Sequence, residues 1–267
     1  MPDVPEQGVP SGLYDEDYFL NACEGYAEFA TSEGEYLSRR LAEALSVAGI
    51  AQGMRVLDVG CGRGEILRHV HRLGACAFGI DYAAVAVEMS RHLANSETTA
   101  DGAIGVYQAN AQQLPFPDAA FDRALLLDIV EHLYPRELDH MLAEAYRVLK
   151  PGGRIIVHTA PNVWYDRYAY PWVRGVRRLL GQGAAYPKNP RAFLVPANVH
   201  VHVNEQSGLS LWRTLRHAGF RNLHVWLSSP PQHRQENIAF RALRKVFFTW
   251  PPFRWFFQRE VFAVGEK

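Results

Sequence analysis

The sequence predicts an α/β fold, a seven-stranded and mostly parallel sheet covered by helices on both faces. Three observations predict it. From residue 54 onward, short runs rich in Val, Ile, Leu and Phe alternate with stretches whose apolar residues recur at helical spacing, the pattern of successive strand–helix units. The first run, Val56-Leu57-Asp58-Val59, passes directly into Gly60-Cys61-Gly62-Arg63-Gly64-Glu65, where glycines permit positive φ and let a ligand approach the backbone. Breakers separate helix from strand, as at Lys150-Pro151-Gly152-Gly153, which follows a helical stretch.

Taken in order, residues 1–12 are rich in proline and glycine without apolar periodicity, and are expected as a flexible tail before a single domain over 13–267. A helical cap is predicted over 13–50. Tyr18, Phe19, Tyr26 and Phe29 space one amphipathic helix, and Tyr36, Leu37, Leu41, Ala44 and Leu45 a second. Strands are expected at 54–59, at 76–80 ending on Asp81, and at 104–108, 121–127, 154–159, 223–227 and 260–264. Between them, Ile66, Val70 and Leu73 give one helix a buried face, Val85, Met89 and Leu93 another, and Leu138, Leu142, Ala145 and Leu149 a third. Insertions at 163–197 and 228–259 lie outside this alternation.

Composition narrows the function classes. The chain has 267 residues, 48% of them hydrophobic, enough for a sizeable core. Its 28 Lys+Arg balance 28 Asp+Glu, yet residues 1–162 hold 12 of the cations and 23 of the acids. The C-terminal part is therefore the basic one and the expected meeting place for anionic partners. Cys23, Cys61 and Cys76 show neither a C-x-x-C pair nor metal-ligand spacing, which suits a reducing compartment. The first residues lack a basic n-region and an apolar h-region, and no uncharged apolar run approaches the ~20 residues that span a bilayer. A cytoplasmic location is expected, with peripheral contact at the inner membrane surface as a variant of it.

The glycine turn spells G-x-G-x-G. It matches neither the G-x-G-x-x-G of dinucleotide sites nor the lysine-bearing phosphate loop, and it suits a flat nucleoside with an amino-acid tail. Five motifs then occur in order: Val56 to Gly64, the acid Asp81, Asn110-Ala111-Gln112-Gln113-Leu114-Pro115-Phe116, Asp128-Ile129-Val130-Glu131-His132-Leu133, and Arg147 to Gly153. Together they resemble a class I S-adenosylmethionine-dependent methyltransferase of the small-molecule type, related to ubiquinone-pathway O-methyltransferases. The resemblance covers residues 54–161 and returns over 204–227. It implies a Rossmann-like sheet, a helical N-terminal cap and substrate-facing insertions.

The resemblance also implies site residues. Gly60, Gly62 and Gly64 would pass beneath the methionine part of S-adenosyl-L-methionine, with Asp58 bracing the turn. Asp81, beside Tyr82, would accept both ribose hydroxyls, since a carboxylate offers two oxygens to a vicinal diol; its competing role is to cap the following helix. Asn110, next to Ala111, stands where the family commonly has an acid for the adenine amino group, so a somewhat reduced affinity is expected. Arg40 would take the cofactor carboxylate, with Arg39 as its competitor. Asp128 either contacts the methionine end or joins Glu131 and His132 in a divalent site for Mg2+ or a transition ion, which His200 or His202 would complete. His158 and His132 are the candidate bases for deprotonating an acceptor hydroxyl.

The two insertions interleave aromatics with cations. Residues 163–197 hold Trp164, Tyr165, Tyr168, Tyr170 and Trp172 among Arg167, Arg174, Arg177 and Arg178, and residues 228–259 hold Phe247, Phe248, Trp250, Phe253 and Trp255 among Arg241, Arg244, Lys245 and Arg254. They form either an aromatic mini-core with solvated arginines or a surface for an anionic amphiphile or membrane, with peripheral membrane contact expected through 228–259. The expected acceptor is a small molecule, a quinone-like lipid precursor or a glycan or lipid-linked sugar. No nucleic acid is expected, because no amino-methylation motif or RNA module is present. A non-catalytic cofactor-binding or membrane-associated partner protein that keeps the fold is the contrasting possibility.

Overall fold

The computed structural model describes residues 8–23, 25–97, 103–192, 195–228 and 245–267. Its strands are β1 (Arg55–Val59), β2 (Cys76–Asp81), β3 (Ile104–Gln108), β4 (Phe121–Leu127), β5 (Leu149–Thr159), β6 (Arg221–Ser228) and β7 (Glu260–Glu266). They form one sheet in the order β3-β2-β1-β4-β5-β7-β6, parallel except for β7, which runs antiparallel to β5 and β6. Val56 to Val59 are all buried, without alternation, because helices cover both faces of a central strand. Strand order reverses between β1 and β4. Ligands in open sheets bind at the carboxyl ends of the strands at such a point.

Beside these strands stand α1 (Tyr26–Ser32), α2 (Arg39–Ala48), α3 (Glu65–Arg72), α4 (Ala84–Asn95), α5 (Pro135–Val148), α6 (Tyr170–Leu179) and α7 (Gly208–His217). On one face, Leu138, Met141 and Leu142 of α5 and Leu211 and Leu215 of α7 pack on Leu57, Phe121 and Leu126. On the other, Leu41 and Ala44 of α2 and Ile66, Leu67 and Val70 of α3 pack on Val56, Leu125 and Ile156. Each such Leu or Ile contributes about 1.5–3 kcal/mol by leaving water. The sequence sets the helix starts locally. Pro135 occupies the first turn of α5, where no backbone donor is needed, and Glu137 accepts from the Tyr134 amide at 2.9 Å. At α7, Ser207 Oγ accepts from the Ser210 amide at 3.0 Å.

The structure departs from the sequence expectations in four places. Tyr18 to Phe29 are not one helix: a π-helical turn, Tyr18–Ala22, is separated from α1 by Gly25 at φ 79°, which turns Phe19 inward while Tyr26 stays exposed. Helix α3 stops at Arg72, so Leu73 is exposed rather than buried. Lys150-Pro151-Gly152-Gly153 is no free loop; it is a bulge inside β5, where pairing with β4 jumps from Phe121↔Leu149 to Arg123↔Arg154. Residues 8–12, expected as part of the tail, lie along the molecule, with the Tyr82 hydroxyl donating to Val9 O at 3.1 Å.

Gly64 shows how closely the turn approaches α4. It sits at φ 86°, and a Cβ there would lie 2.8 Å from Ser90 Oγ and 3.0 Å from Ser90 Cα. Left-handed strain and overpacking against backbone act together, so Gly64→Ala should destabilise the fold by about 2–4 kcal/mol in urea unfolding. A loss below about 0.5 kcal/mol would contradict this packing.

Candidate active site

A cavity of about 310 Å³ opens where the carboxyl ends of β1, β2 and β4 meet. Gly60 and Gly62 form one wall, and the turn is held open for a ligand by bonds on its far side. The amides of Gly60 and Cys61 donate to Ile80 O at 2.8 and 2.9 Å, the Gly62 amide donates to Asp81 Oδ2 at 3.1 Å, and Ser90 Oγ donates to Gly62 O at 2.7 Å. Gly64 does not line the cavity; its role is the close approach to α4. Arg40, Asp58, Asp81, Tyr82, Asn110, Ala111 and Asp128 all line it, so these candidates, scattered over 89 positions, are brought together.

The carboxylates differ sharply in their surroundings. Asp81 braces the turn and also accepts from the Ala83 amide at 3.0 Å, ahead of the first turn of α4, whose N-cap is Ala83 and carries no side-chain cap bond, so the expected competing role as helix cap is not the one it takes. Burial raises its carboxyl above the ordinary range despite these donors. Asp58 is buried without a hydrogen bond or cation partner among the described residues, and burial, then Asp81 and Glu65, push it up to about 8. Asn110 Oδ1 accepts from the Gln112 amide at 2.9 Å, which leaves one lone-pair direction for a ligand.

Asp128 is the opposite case. Its Oδ2 pairs with Arg40 at 2.9 Å and its Oδ1 bonds His158 Nδ1 at 2.7 Å. Burial alone would raise its carboxyl, but Arg40 and His158 hold it well below the usual range. Arg40 therefore faces the cavity, whereas its neighbour Arg39 turns away to Glu43, Ser228 and Glu260. His158, a candidate base, does not line the cavity. It is 1% exposed, packs on Phe262 and orients Asp128.

His132 does reach the cavity. Its Nδ1 shares a 2.8 Å hydrogen bond with the Tyr14 hydroxyl, and burial depresses its pKa to about 4. His202, not the exposed His200, stacks edge-on against it at 5.0 Å and is depressed to about 3 by burial and by His132. Glu131 accepts from Thr159 Oγ1 at 2.8 Å and is pushed to about 8 by burial and by Asp128. Ligand atoms of Glu131, His132 and His202 lie within 4.8 Å of one another. That set corrects the expected one: Asp128 is committed to Arg40 and His158. Two neutral imidazoles and one carboxyl do not fit magnesium, which takes oxygen ligands, and suit a transition ion better. Tyr14 and Tyr18 close the cavity from the cap and stand outside the sequence-derived site residues; Tyr14 meets His132 across 118 positions, and no local spacing announces that contact.

Residues 57–157 match the family model described as a methyltransferase domain. The chain is 32% identical over 145 residues to the 27-O-demethylrifamycin SV methyltransferase of Amycolatopsis mediterranei, covering 54% of this chain and 52% of that one. It is 34% identical over 110 residues to the ubiquinone biosynthesis O-methyltransferase of Chelativorans sp., covering 40% and 41%. The matched stretches thus span about half, or less, of the curated relatives. Among solved structures, a SAM-dependent methyltransferase from Archaeoglobus fulgidus superposes with a TM-score of 0.57 at 18% identity, covering 90% of this chain and 99% of that one. The [4+2]-cyclase SpnF superposes at 0.56 with 20% identity, covering 86% and 80%. These likenesses show a shared Rossmann-like fold.

The buried groups set an unusual pH response. Glu131 and Asp58 are raised, so the folded state holds protons that the unfolded chain has lost above about pH 4.5, and stability falls as pH rises towards 8. His132 and His202 are lowered, so the unfolded chain holds extra protons below about 6.5. The two effects cancel between about pH 4.5 and 6.5. The ligand-free protein should therefore lose Tm steadily from pH 6.5 to 8, and Glu131→Gln should flatten that slope. An unchanged slope in the variant would show that Glu131 is ionised throughout.

Proposed function

We propose, for a chain whose residues 57–157 are a methyltransferase domain set in the sheet of the S-adenosylmethionine-dependent methyltransferases, that the protein methylates an oxygen of a small-molecule or lipid-linked acceptor. One observation carries the reading. Asp58 and Asp81 stand buried beside a glycine turn without a cation among the described residues, so a ligand bringing a positive charge and a vicinal diol supplies the partners they lack. S-adenosylmethionine fits these residues, and when bound it supplies a methyl group on a sulfonium, an electrophile for the acceptor. Asp58 would hold its ammonium, Asp81 its ribose, Gly60 and Gly62 its methionine backbone, and Arg40 its carboxylate. Oxygen as the acceptor atom is supported by the names of the two relatives, both of which specify an O-methyl position or O-methylation. Quinone-like precursors and lipid-linked sugars are the acceptor classes that this reading favours.

Tyr14 and His132 then serve the acceptor. The acceptor hydroxyl gives its proton to the Tyr14 oxygen as the Tyr14 proton passes to His132 Nδ1, and the Asp128 charge favours the imidazolium that results. A base depressed to about 4 is weak, so in-line positioning contributes more to the rate than proton transfer does. A second reading, cofactor binding without methyl transfer, is favoured by the likeness to SpnF, a [4+2]-cyclase, because one fold hosts several reactions.

Two measurements test the proposal. A cation bound beside Asp58 lowers a pKa of about 8, so calorimetric binding of S-adenosylmethionine at pH 7 should release a proton, seen as an enthalpy that varies with the buffer. Asp58→Asn should abolish the release and weaken binding at least about tenfold; a buffer-independent enthalpy in the wild type would refute the assignment. In a lysate supplied with labelled cofactor, wild-type protein should label an acceptor, and His132→Ala should lower the rate at least about tenfold with the cofactor Kd unchanged. Cofactor binding with no labelled product would favour the second reading.

A further inference from the structure

Residues 163–192 and 245–259, taken from the two insertions, form one lobe around a small core of Tyr165, Ala169, Tyr170 and Tyr186 packed with Phe256 and Phe257. Asn162, fully buried, bolts this lobe to the end of β5 by donating from Nδ2 to Trp255 O and Gln258 O, both at 2.9 Å. The lobe is thus a built feature of the fold. What it does not bury is equally regular. Tyr168, Trp172, Val176 and Leu179 follow one another at helical spacing on α6 and the turn before it, and Trp172 and Leu179 are 77% and 89% exposed. Trp250, at 65%, adds a second apolar projection.

The charge around this stripe is of one sign. The same residues hold nine Lys+Arg and one acid, Asp166, whose carboxyl burial raises to about 6; of the nine, Arg191 is paired to Glu205 outside them. Arg167, Arg178 and Arg254 are among the exposed cations. A second copy of the same surface would bring like charges together, and an apolar ligand alone would leave the cations unanswered. An occupant that is anionic outside and apolar beneath satisfies both features. No helix among the described residues is long and apolar enough to cross a membrane, so contact would lie in the interface plane.

We infer that this lobe docks on an anionic lipid bilayer, with the Tyr168–Leu179 stripe lying in the headgroup region and the flanking arginines on lipid phosphates. The inference stands apart from the methyl-transfer reading. It also moves the expected membrane contact from 228–259 alone to a surface led by α6; Arg241 and Arg244 of that expectation lie outside the described residues.

The test is co-sedimentation of the full chain with vesicles of phosphatidylcholine alone and with vesicles that also contain phosphatidylglycerol. Binding should be at least about tenfold tighter to the anionic vesicles, since each basic residue near the surface adds attraction. Trp172→Glu with Leu179→Glu should lower it at least about tenfold, with thermal unfolding unchanged. Arg178→Glu with Arg254→Glu should remove the preference for phosphatidylglycerol. Wild-type protein left in the supernatant with both vesicles would overturn the inference. So would variants that bind as the wild type does, or a lipid-free dimer that Trp172→Glu with Leu179→Glu dissociates, which would assign the stripe to a second copy.

Discussion

A single half-buried carboxylate, Asp128, ties the cap to the sheet. It sits at φ 58°, a left-handed conformation that Asp tolerates better than most residues, and its amide donates to His158 O at 3.0 Å. From there it reaches Arg40 of α2 with one oxygen and His158 of β5 with the other. Three elements distant in sequence meet on four atoms. Removing Asp128 would take from Arg40 and His158 their carboxylate partner at 2.9 and 2.7 Å. The angle at which the cap lies over the cavity therefore depends on this contact.

The same contact sorts the charge of the site. With Arg40 paired to Asp128, Asp58 and Asp81 face the cavity without a cation, and burial raises both. Nearby, burial keeps His132 and His202 neutral and Glu131 protonated at physiological pH. The cavity is consequently poised for a ligand that brings its own positive charge, beside a pair of hydrogen-bonded neutral side chains, Tyr14 and His132.

The basic C-terminal half answers a different question. Its aromatics divide into two populations: Tyr165, Tyr170, Tyr186, Phe256 and Phe257 pack inward, while Trp172, Leu179 and Trp250 stand in solvent. Composition could not separate them, since both share the same interleaving with arginine. The mini-core anchors the helix that carries the exposed stripe through Tyr170 and Val173.

By itself the sequence determined the order of strands and helices in the sheet and the glycine turn and acid that line the cavity. Strand runs, helical spacing and the G-x-G-x-G turn are encoded within a few residues, because side-chain period and positive φ are local properties. Asp81 was legible for the same reason, as the acid on which a strand ends. Only the tertiary structure decided between Arg39 and Arg40, and between His200 and His202, because adjacent or alternate residues differ by where packing turns them. It also moved His158 from base to support and brought Tyr14 to His132 across 118 positions. Such contacts form when separate elements dock on one sheet, and the free energy that selects them lies in long-range burial and charge pairing, which no local pattern records.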